Sequence, residues 1–271
     1  MAYLDRLWIY PIKSLDGISL ESCSLLPSGA LQGDRRWALF DPEGKFINGK
    51  NNSKIHLIRS HWTTDLNTLT LQIQDQTEKE IFQLDRDRLA LESWFSDYFG
   101  LQVQLKENTV MGYPDDTQAC GATIISTATL ETVASWFPDV SVAEMRRRFR
   151  ANLEIADVPS FWEDRLFDRP DEAKFFKIGD VLFWGINPCQ RCIVPTRDSY
   201  TGVGDKNFIR TFTAKRQATL PPWTNRDRFD HFYRLSVNTQ VPSSEAGKVI
   251  QKGDLVIAVR KSVRTSQGNS F

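Results

Sequence analysis

The sequence lacks any imbalance of charge, since 34 Lys and Arg residues offset 34 Asp and Glu residues among 271. Without a net charge, the protein has no global field that would draw it to nucleic acid or to a membrane surface. Any electrostatic function must therefore come from a local patch. The N-terminus also lacks the basic start and apolar run of a secretory signal peptide. No apolar stretch approaches the ~20 residues that a membrane helix needs, so we expect no membrane anchor.

Cysteine and histidine are scarce as well. Four cysteines, of which only Cys189 and Cys192 are close in sequence, exclude a disulfide scaffold and favour a reducing, cytoplasmic setting. None of the three histidines belongs to a pattern of carboxylate and nucleophile, which argues against hydrolytic chemistry. No glycine-rich phosphate loop or dinucleotide fingerprint occurs. What remains is an ordinary globular composition, 41% hydrophobic and 25% charged.

Strand patterns occur towards both ends of the chain. Residues 69–74 alternate apolar and polar side chains with period two, and Asp-Pro-Glu-Gly at 41–44 predicts the turn of a hairpin. Pro11 limits the first strand to a sheet edge or a strand end. The predicted strands are 7–10, 36–41, 45–47, 69–74, 101–105, 181–184 and 255–259.

Helical spacing occurs in the middle of the chain. Apolar residues at i, i+3, i+4 and i+7 predict a helix over residues 91–98, which Gly100 can end. A second helix is predicted over residues 128–137, before Pro138. A third begins at Ser141, because Ser-Val-Ala-Glu has the form of a capping box. The pattern indicates a β-rich first portion, a small helical middle and a second β portion.

The densest chemical signal is a Cys-x-x-Cys pair flanked by arginines. Arg191 lies beside Cys192, and Arg197 follows five residues further on. A neighbouring guanidinium favours the thiolate, which is the form that ligates metal or attacks as a nucleophile. Two buried structural cysteines, Cys189 and Cys192, are the plain alternative, but the flanking charge argues against full burial.

Three chemical functions compete for this pair. A structural zinc site needs about four protein ligands, and the other candidate ligands are isolated, which argues against zinc. Those candidates are Cys23, Cys120, His56, His61 and His231. A thioredoxin-like pair belongs at a strand-to-helix turn, whereas Ile-Val-Pro at 193–195 does not open a helix. The third function is a single cysteine ligand to a soft metal inside a bulky anionic cofactor, since arginines suit attached phosphate.

Four arginines fall within residues 146–150. Such a run can bind nucleic acid, but the net charge is zero and no aromatic platform is interleaved, so we expect no nucleic-acid partner. A solvated helix face explains some of these arginines. If residues 149–153 form a strand, alternation places Arg150 and Asn152 on one face, where both can donate to one anion.

Two shorter elements near the N-terminus can also hold an anion. Lys13 and Ser14 follow a rigid proline turn and can bind phosphate through the ammonium, the hydroxyl and backbone N–H groups. In Gly-Asp-Arg-Arg-Trp at 33–37, a turn directs Arg35 or Arg36 outward at the start of a strand. Each of the four elements, at residues 13–14, 33–37, 146–152 and 188–192, is common by itself. Their occurrence together in this order is much less common.

Taken in order, these elements resemble the MOSC family, named for the C-terminal domain of molybdenum cofactor sulfurase, and within it the amidoxime-reducing branch. The likeness runs from Leu-Trp-Ile-Tyr-Pro-Ile-Lys-Ser at 7–14 to Pro-Cys-Gln-Arg-Cys at 188–192, with Asp198 and Thr-Gly at 201–202 downstream. The fold it implies is mainly β with a few helices, in the α+β class.

The same resemblance divides the chain. Residues 1–95 form a MOSC N-terminal β-barrel-like domain, and residues 96–260 form the MOSC β-barrel domain. Residues 261–271 are a polar C-terminal tail, which we expect to be frayed.

The resemblance also implies roles for individual residues. Cys192, the second cysteine of the pair, matches the molybdenum ligand and would be the catalytic residue. The residues that match pterin-binding positions are Lys13, Ser14, Arg35, Arg150, Asn152, Gln190 and Arg191. Gln190 replaces a serine that is frequent in the family, which keeps backbone contacts but changes a side-chain contact.

A larger departure from the family pattern lies at residues 118–123. Ala119 and Cys120 stand where relatives carry hydroxyl side chains that help bind the cofactor. That contact is lost, is made by the backbone, or passes to Thr117, Thr123 or Ser126.

The activity that the resemblance implies is a molybdenum–molybdopterin (Moco) oxidoreductase that reduces N-hydroxylated compounds, such as hydroxylaminopurines and amidoximes. The sequence has no plant-type iron–sulfur spacing, so we expect electrons from a separate ferredoxin- or cytochrome-type protein with its reductase. A sulfur carrier or cofactor-handling protein, with a persulfide on Cys192, is the alternative. The pterin-binding set favours cofactor retention, because a sulfur relay does not need it.

Overall fold

The structure is a computed structural model that describes residues 1–169, 172 and 174–259. The predicted polar tail, residues 261–271, lies outside the described residues. The strands are β1 (Tyr3–Ile9), β2 (Ile18–Leu20), β3 (Ser22–Ser24), β4 (Trp37–Phe40), β5 (Phe46–Ile47), β6 (Ile58–Trp62), β7 (Thr68–Ile73), β8 (Lys79–Gln83), β9 (Gln104–Glu107), β10 (Ile124–Ser126), β11 (Leu153–Ala156), β12 (Lys174–Ile178), β13 (Val181–Gln190), β14 (Arg234–Gln240), β15 (Val249–Gln251) and β16 (Val256–Ala258). The α-helices are α1 (Arg88–Phe99), α2 (Thr127–Ala134), α3 (Val142–Phe149) and α4 (Phe208–Ala218). The prediction of a mainly β fold with a few helices is confirmed.

The largest element is an eight-stranded sheet with the strand order β16-β12-β13-β14-β10-β11-β1-β2. The first strand, β1, pairs antiparallel with β11, so that Tyr3 faces Ala156. The sheet curls back towards itself, because Val256 N donates to Ala2 O at 2.9 Å next to the start of β1. The earliest strand of the chain therefore belongs to a sheet built mainly from the second half. The predicted boundary at residue 95 stays a prediction.

Three smaller sheets have the orders β5-β4-β9, β6-β7-β8 and β15-β3. The predicted hairpin is confirmed, since β4 pairs with β5 and Phe40 faces Phe46. The alternating strand is also confirmed as β7, whose Leu69 and Leu71 are buried. The strand predicted at 101–105 begins only at Gln104, where pairing with β4 starts.

The helices follow their predicted apolar faces. In α1, Leu91, Phe95 and Phe99 are buried, and Gly100 ends the helix in the left-handed conformation at φ 72°. Its backbone N–H donates to Ser96 O at 2.8 Å, which satisfies a carbonyl of the last turn.

The next two helices begin near their predicted starts, and α2 ends earlier than predicted. The second, α2, ends at Ala134 rather than at residue 137, because Phe137 N bonds to Ala134 O three residues back and tightens the chain. The third, α3, begins as predicted, with the hydroxyl of Ser141 accepting from Glu144 N at 3.1 Å.

The condition that residues 149–153 form a strand does not hold for the first of these residues. Helix α3 continues through Phe149, and Arg150 closes it in the left-handed conformation at φ 53°. The strand β11 begins only at Leu153, after Asn152. Arg150 and Asn152 therefore do not share one face of a strand, because Arg150 is the C-cap of α3 and Asn152 precedes the first residue of β11.

The large sheet is packed closely against the short 3₁₀ turn Trp162–Leu166. Strand β13 passes so near this turn that a Cβ atom added to Gly185 would lie 1.6 Å from Leu166 O. Phe176, Val181 and Phe183 are fully buried around the crossing. A side chain at position 185 is therefore excluded by the backbone of the neighbouring turn.

The same turn carries two buried carboxyl groups. Arg216 Nη2 donates to Asp164 Oδ2 at 2.5 Å, while the hydroxyl of Thr129 donates to Glu163 Oε2 at 3.0 Å. Glu163 is only 1% exposed. Burial, together with the negative charge of Asp164, raises the pKa of Glu163 to about 7. The folded protein therefore prefers this carboxyl group in its neutral form.

Replacing Glu163 by Gln is expected to remove a pH-dependent loss of stability. The raised pKa destabilises the fold as the pH increases from about 4.5, the ordinary value for Glu, and the effect is complete above about 7. The difference corresponds to about 3 kcal/mol at alkaline pH. Urea unfolding at pH 5 and pH 8 should show wild type weakening relative to Glu163→Gln, whereas Glu131→Gln, an exposed control on α2, should follow wild type. Equal pH dependence in both variants contradicts the prediction.

Candidate active site

A cleft of about 1070 Å³ is lined by residues from both halves of the chain. All eight residues predicted to bind a cofactor or a metal lie along its walls. They are Lys13, Ser14, Arg35, Arg150, Asn152, Gln190, Arg191 and Cys192. The fold therefore brings together residues that are widely separated in the sequence.

The walls of the cleft are basic although the chain as a whole is neutral. Eleven Lys and Arg residues line the cleft, against four Asp residues. In the whole sequence the two signs balance at 34 each. Cations gathered around a concave site raise the local potential and concentrate anions there. The cleft is therefore suited to a ligand with several negative charges.

Lys13 and Ser14 lie in the turn that follows β1. The ammonium of Lys13 is 7% exposed and donates to Tyr113 O at 2.8 Å and to Asp115 Oδ1 at 2.6 Å. Burial lowers the pKa of Lys13, and the carboxylate of Asp115 opposes that shift. The hydroxyl of Ser14 accepts from Gly49 N at 3.1 Å. Both side chains are thus held in place by neighbours from later in the chain.

Arg35 and Arg150 lie near the ring of Tyr10. The guanidinium carbon of Arg150 is 4.0 Å from the ring centroid, and that of Arg35 is 5.5 Å away. Burial raises the pKa of Tyr10 to about 12, so the phenol is neutral and donates to Ala151 O at 3.3 Å. Arg35 forms an ion pair with Asp34. Nη2 of Arg150 is buried and has no hydrogen-bond partner among the described residues.

Three of the predicted cofactor-binding residues have a left-handed backbone. The φ angles are 74° for Ser14, 49° for Arg35 and 53° for Arg150. Non-glycine residues adopt this region at a free-energy cost, and such positions cluster at ligand sites, where the surrounding structure holds them. The backbone is therefore shaped to direct these side chains into the cleft.

The arginine run of α3 separates into different environments. Arg146 makes two hydrogen bonds to Glu154, at 2.5 and 2.9 Å. Arg147 and Arg148 both donate to Glu144, at 3.0 and 2.6 Å. The fourth arginine, at position 150, is the one with a buried nitrogen that lacks a partner in the described part of the chain. Three arginines thus have carboxylate partners, and one is available to an external anion.

Asn152 is 1% exposed and is already engaged by the protein. Its Oδ1 accepts from both the backbone N–H and the hydroxyl of Thr123, each at 3.1 Å, and its Nδ2 donates to Trp8 O at 3.1 Å. The side chain therefore joins β1 to the chain before β10 and fixes one wall of the cleft.

The segment that departs from the family pattern also reaches the cleft. Ala119, Cys120, Thr117 and Thr123 lie among the lining residues. The thiol of Cys120 donates to Thr117 O at 3.2 Å. Ser126 instead is buried as the N-cap of α2. Of the three hydroxyl groups considered from the sequence, two therefore lie beside the cleft.

The cysteine motif spans the end of β13, since residues 188–190 are the last of the strand and Arg191 and Cys192 follow it. Arg191 N donates to Tyr233 O at 3.1 Å, and its Nη1 donates to Cys189 Sγ at 3.3 Å. Nε of Arg191 is buried without a partner in the described structure. Cys192 is half-buried in the cleft wall and is a free thiol, as is Cys189.

The chain after Cys192 does not continue as an α-helix. Only the three-residue 3₁₀ turn Val194–Thr196 follows. Gln190, the last residue of β13, is exposed and faces Arg234 in β14. The pair therefore lacks the helix N-terminus that a thioredoxin-like site uses.

Three further residues line the cleft that the sequence did not assign to the cofactor site, namely His56, Arg59 and Arg197. In the described residues, His56 Nε2 and the Nε atoms of both arginines are buried without a hydrogen-bond partner. Burial, and then the charges of Arg150, Arg197 and Arg59, lowers the pKa of His56 to about 4. Arg197 was visible beside the cysteine motif, but nothing in the sequence links His56 or Arg59 to it.

The buried nitrogen atoms without partners indicate which kind of ligand the cleft can accept. Buried guanidinium nitrogens without partners are costly, and an oxyanion satisfies them by charge-assisted hydrogen bonds. Within the described part of the chain, no three His, Cys, Asp or Glu side chains come together as a ligand cluster. A metal at Cys192 would therefore take its other ligands from an organic group. The donor set fits a bulky anionic group that carries a soft, thiolate-ligated metal.

The fold and the cleft thus define a mainly β protein with a basic cleft whose wall holds the free thiols of Cys189 and Cys192. Residues 1–141 match the family model of the MOSC N-terminal beta barrel domain, and residues 116–257 match that of the MOSC domain. The chain belongs to the MOSC family.

Several known proteins are similar to this chain. Mitochondrial amidoxime reducing component 2 of Bos taurus is 24% identical, with 75% of this chain and 68% of that protein covered. Mitochondrial amidoxime-reducing component 1 of Homo sapiens is 26% identical, with 78% and 71% covered. Molybdenum cofactor sulfurase of Drosophila mojavensis is 25% identical over 80% of this chain but only 31% of its own length. The names of these relatives refer to amidoxime reduction and, for the sulfurase, to molybdenum cofactor.

Proposed function

We propose that the protein is a molybdenum-cofactor-dependent oxidoreductase that reduces N-hydroxylated compounds, such as hydroxylaminopurines and amidoximes. The observation that carries the proposal is the basic cleft, where cations outnumber carboxylates and Cys192 lies in the wall. Similarity to amidoxime-reducing components supports the reductase activity.

One group of residues would bind the phosphate end of the cofactor. Lys13, Ser14, Arg35 and Arg150 would hold the phosphate of the pterin, because their ammonium, hydroxyl and guanidinium groups converge on the cleft. Burial of these cations excludes water and strengthens each charge-assisted contact. Arg150 contributes a nitrogen that has no partner in the described protein.

The other residues position the metal end. Cys192 would be the protein ligand of molybdenum, which supplies the two-electron redox chemistry when the cofactor is bound. Gln190 and Arg191 directly precede Cys192 and also line the cleft. Asn152 joins β1, through Trp8 O, to the segment before β10, through Thr123 N. The described residues contain no helix that is long and apolar enough to cross a membrane. A cytoplasmic location and a separate electron-transfer protein remain part of the proposal.

Purification from a host that makes molybdenum cofactor tests the proposal. We expect about one molybdenum and one pterin per chain, and reduction of an N-hydroxylated purine when an artificial electron donor is supplied. The measurements are metal analysis, pterin fluorescence after oxidation and product chromatography. Protein that carries neither metal nor pterin when the host's other molybdenum enzymes are loaded refutes it.

The alternative is a sulfur carrier or cofactor-handling protein that bears a persulfide on Cys192. Similarity to molybdenum cofactor sulfurase favours this candidate. Intact-mass analysis under non-reducing conditions distinguishes the two, because a carrier would show added sulfur on Cys192 and would release its cofactor. Stable retention of molybdenum through dialysis supports the oxidoreductase.

A further inference from the structure

A group of donors in the cleft lies outside the set assigned to the cofactor. His56 belongs to the 3₁₀ turn Ser53–Leu57, Arg59 to β6 and Arg197 to the loop after the cysteine motif. Each has a buried ring or guanidinium nitrogen without a hydrogen-bond partner in the described residues. Three donors from three separate elements are thus left unsatisfied in one region.

The protein itself keeps these groups in position. Arg59 Nη2 donates to Ser199 O at 3.1 Å, and its guanidinium lies 4.9 Å from the ring centroid of Tyr200. Arg197 Nη1 donates to Gly202 O at 3.3 Å. The loop that carries Tyr200 is therefore fixed to the first half of the chain, and the remaining Nε atoms stay available.

The charge of the cleft exceeds what one phosphate can neutralise. Eleven cationic and four anionic side chains line it, whereas a phosphate monoester carries about −1.5 to −2 charges at neutral pH. Three guanidiniums, those of Arg59, Arg150 and Arg197, lie close enough to His56 to lower its pKa. Eight of the eleven cationic side chains already have a carboxylate partner within 4 Å, including Arg59, which has Asp16 at 3.4 Å. In the described residues, Arg150, Arg191 and Arg197 have none. Arg150 and Arg191 belong to the set assigned to the cofactor, which leaves Arg197 as the cation without an anion.

We propose that His56, Arg59 and Arg197 form a second oxyanion subsite, which binds a phosphate or carboxylate carried by the N-hydroxylated substrate. This inference rests on the proposed reductase function and specifies its substrate class. Arg197 lies five residues after Cys192 and is joined to it by a single 3₁₀ turn, so a substrate anion held there is close to the reacting centre. Tyr200, whose ring lies 4.9 Å from the guanidinium of Arg59, is 38% exposed, so solvent reaches this part of the cleft.

Matched pairs of substrates test the subsite. One arm compares an N-hydroxylated nucleoside with its 5′-monophosphate, and the other compares benzamidoxime with its ring-carboxylated derivative. We expect wild type to favour at least one charged member by about tenfold or more in kcat/KM, mainly through a lower KM. The arm with the preference identifies phosphate or carboxylate as the anion. Equal kcat/KM in both arms overturns the proposal.

Variants of Arg197 locate the effect. Arg197→Gln should reduce the preference for the charged substrate about tenfold, and Arg197→Lys should retain most of it because the positive charge remains. Arg210→Gln is the control, since Arg210 lies on α4 outside the cleft and bonds to Asn207. Loss of the preference in the control, or its survival in Arg197→Gln, contradicts the assignment.

Binding measurements separate this inference from the proposed function. The probe is the corresponding nucleoside 5′-monophosphate without the N-hydroxyl group, titrated calorimetrically into cofactor-loaded wild type and Arg197→Gln. Affinity should fall about tenfold in the variant. If only cofactor-free protein binds the probe, the three residues belong to the cofactor site and the proposal fails. If metal and pterin are absent altogether, the function fails, while probe binding still reports on the subsite.

Discussion

Cys192→Ala is expected to yield folded protein that contains no molybdenum and does not reduce N-hydroxylated substrates. Cys192 is the half-buried thiol of the cleft wall, and the described residues offer no cluster of further metal ligands around it. Even partners that only orient a metal ligand reduce metal affinity by roughly 10–100-fold when mutated, so loss of the ligand itself should exceed that. The molybdenum content per chain and the turnover rate should therefore both fall in the variant.

The matched control is Cys189→Ala. Cys189 is also a free thiol of the cleft and accepts a hydrogen bond from Arg191 at 3.3 Å, but no metal role is assigned to it. We expect this variant to keep its molybdenum. Pterin content adds a second readout, because retention of pterin without metal in Cys192→Ala would show that the phosphate contacts act independently. Molybdenum that persists in Cys192→Ala proves the ligand assignment wrong.

Gly185→Ala is expected to destabilise the fold severely. The added Cβ would lie 1.6 Å from Leu166 O, which is a backbone atom and cannot rotate away. Strand β13 or the turn Trp162–Leu166 would have to move, and both are fixed by neighbours in the large sheet. Overpacking typically costs about 1–3 kcal/mol, and a clash with backbone belongs at the upper end of that range. The unfolding midpoint in urea and the yield of loaded protein should both fall, since β13 leads directly into the cysteine motif.

Gly204→Ala provides the same chemical change without the clash. No atom lies within 4 Å of a Cβ at this position, and Gly204 does not adopt a positive φ. Its unfolding midpoint should stay near that of wild type. A loss of stability equal to that of Gly185→Ala would mean that the close approach to Leu166 is not the cause.

Much of the candidate site could be found from the sequence because local chemistry marks it. Three elements can each be recognised from a few consecutive residues. They are the proline turn before Lys13, the turn at Arg35 and the cysteine pair flanked by arginines. Their order along the chain then suggested a common ligand. The structure places all of them along one cleft, where the cations greatly outnumber the carboxylates.

Arg150 was placed in the site by sequence reasoning, but for a reason that the structure does not support. Its place in the site was inferred from strand alternation, whereas the side chain is directed by a left-handed residue at the end of α3. The capping box at Ser141 was read correctly, but Glu144 does not bond back to it. Glu144 instead accepts from the guanidinium of Arg148 and from the backbone N–H of Ser199.

His56 and Arg59 could not have been identified by any local pattern. His56 lies in a short 3₁₀ turn and Arg59 in a three-stranded sheet of the first half, and neither has a distinctive neighbour in the sequence. Their proximity to Arg197 depends on long-range packing, which periodicity does not report. Unpartnered buried nitrogen atoms reveal them only once the fold is known.

The pairing of β1 with β11 also determines when the cleft can form during synthesis. Tyr3 leaves the ribosome long before Ala156, its partner across the sheet. Until then β1 has β2 as its only completed neighbour and presents an open edge, and such distant pairings form slowly. Lys13 therefore emerges early and Cys192 late, so the walls of the cleft come together only after most of the chain has been made.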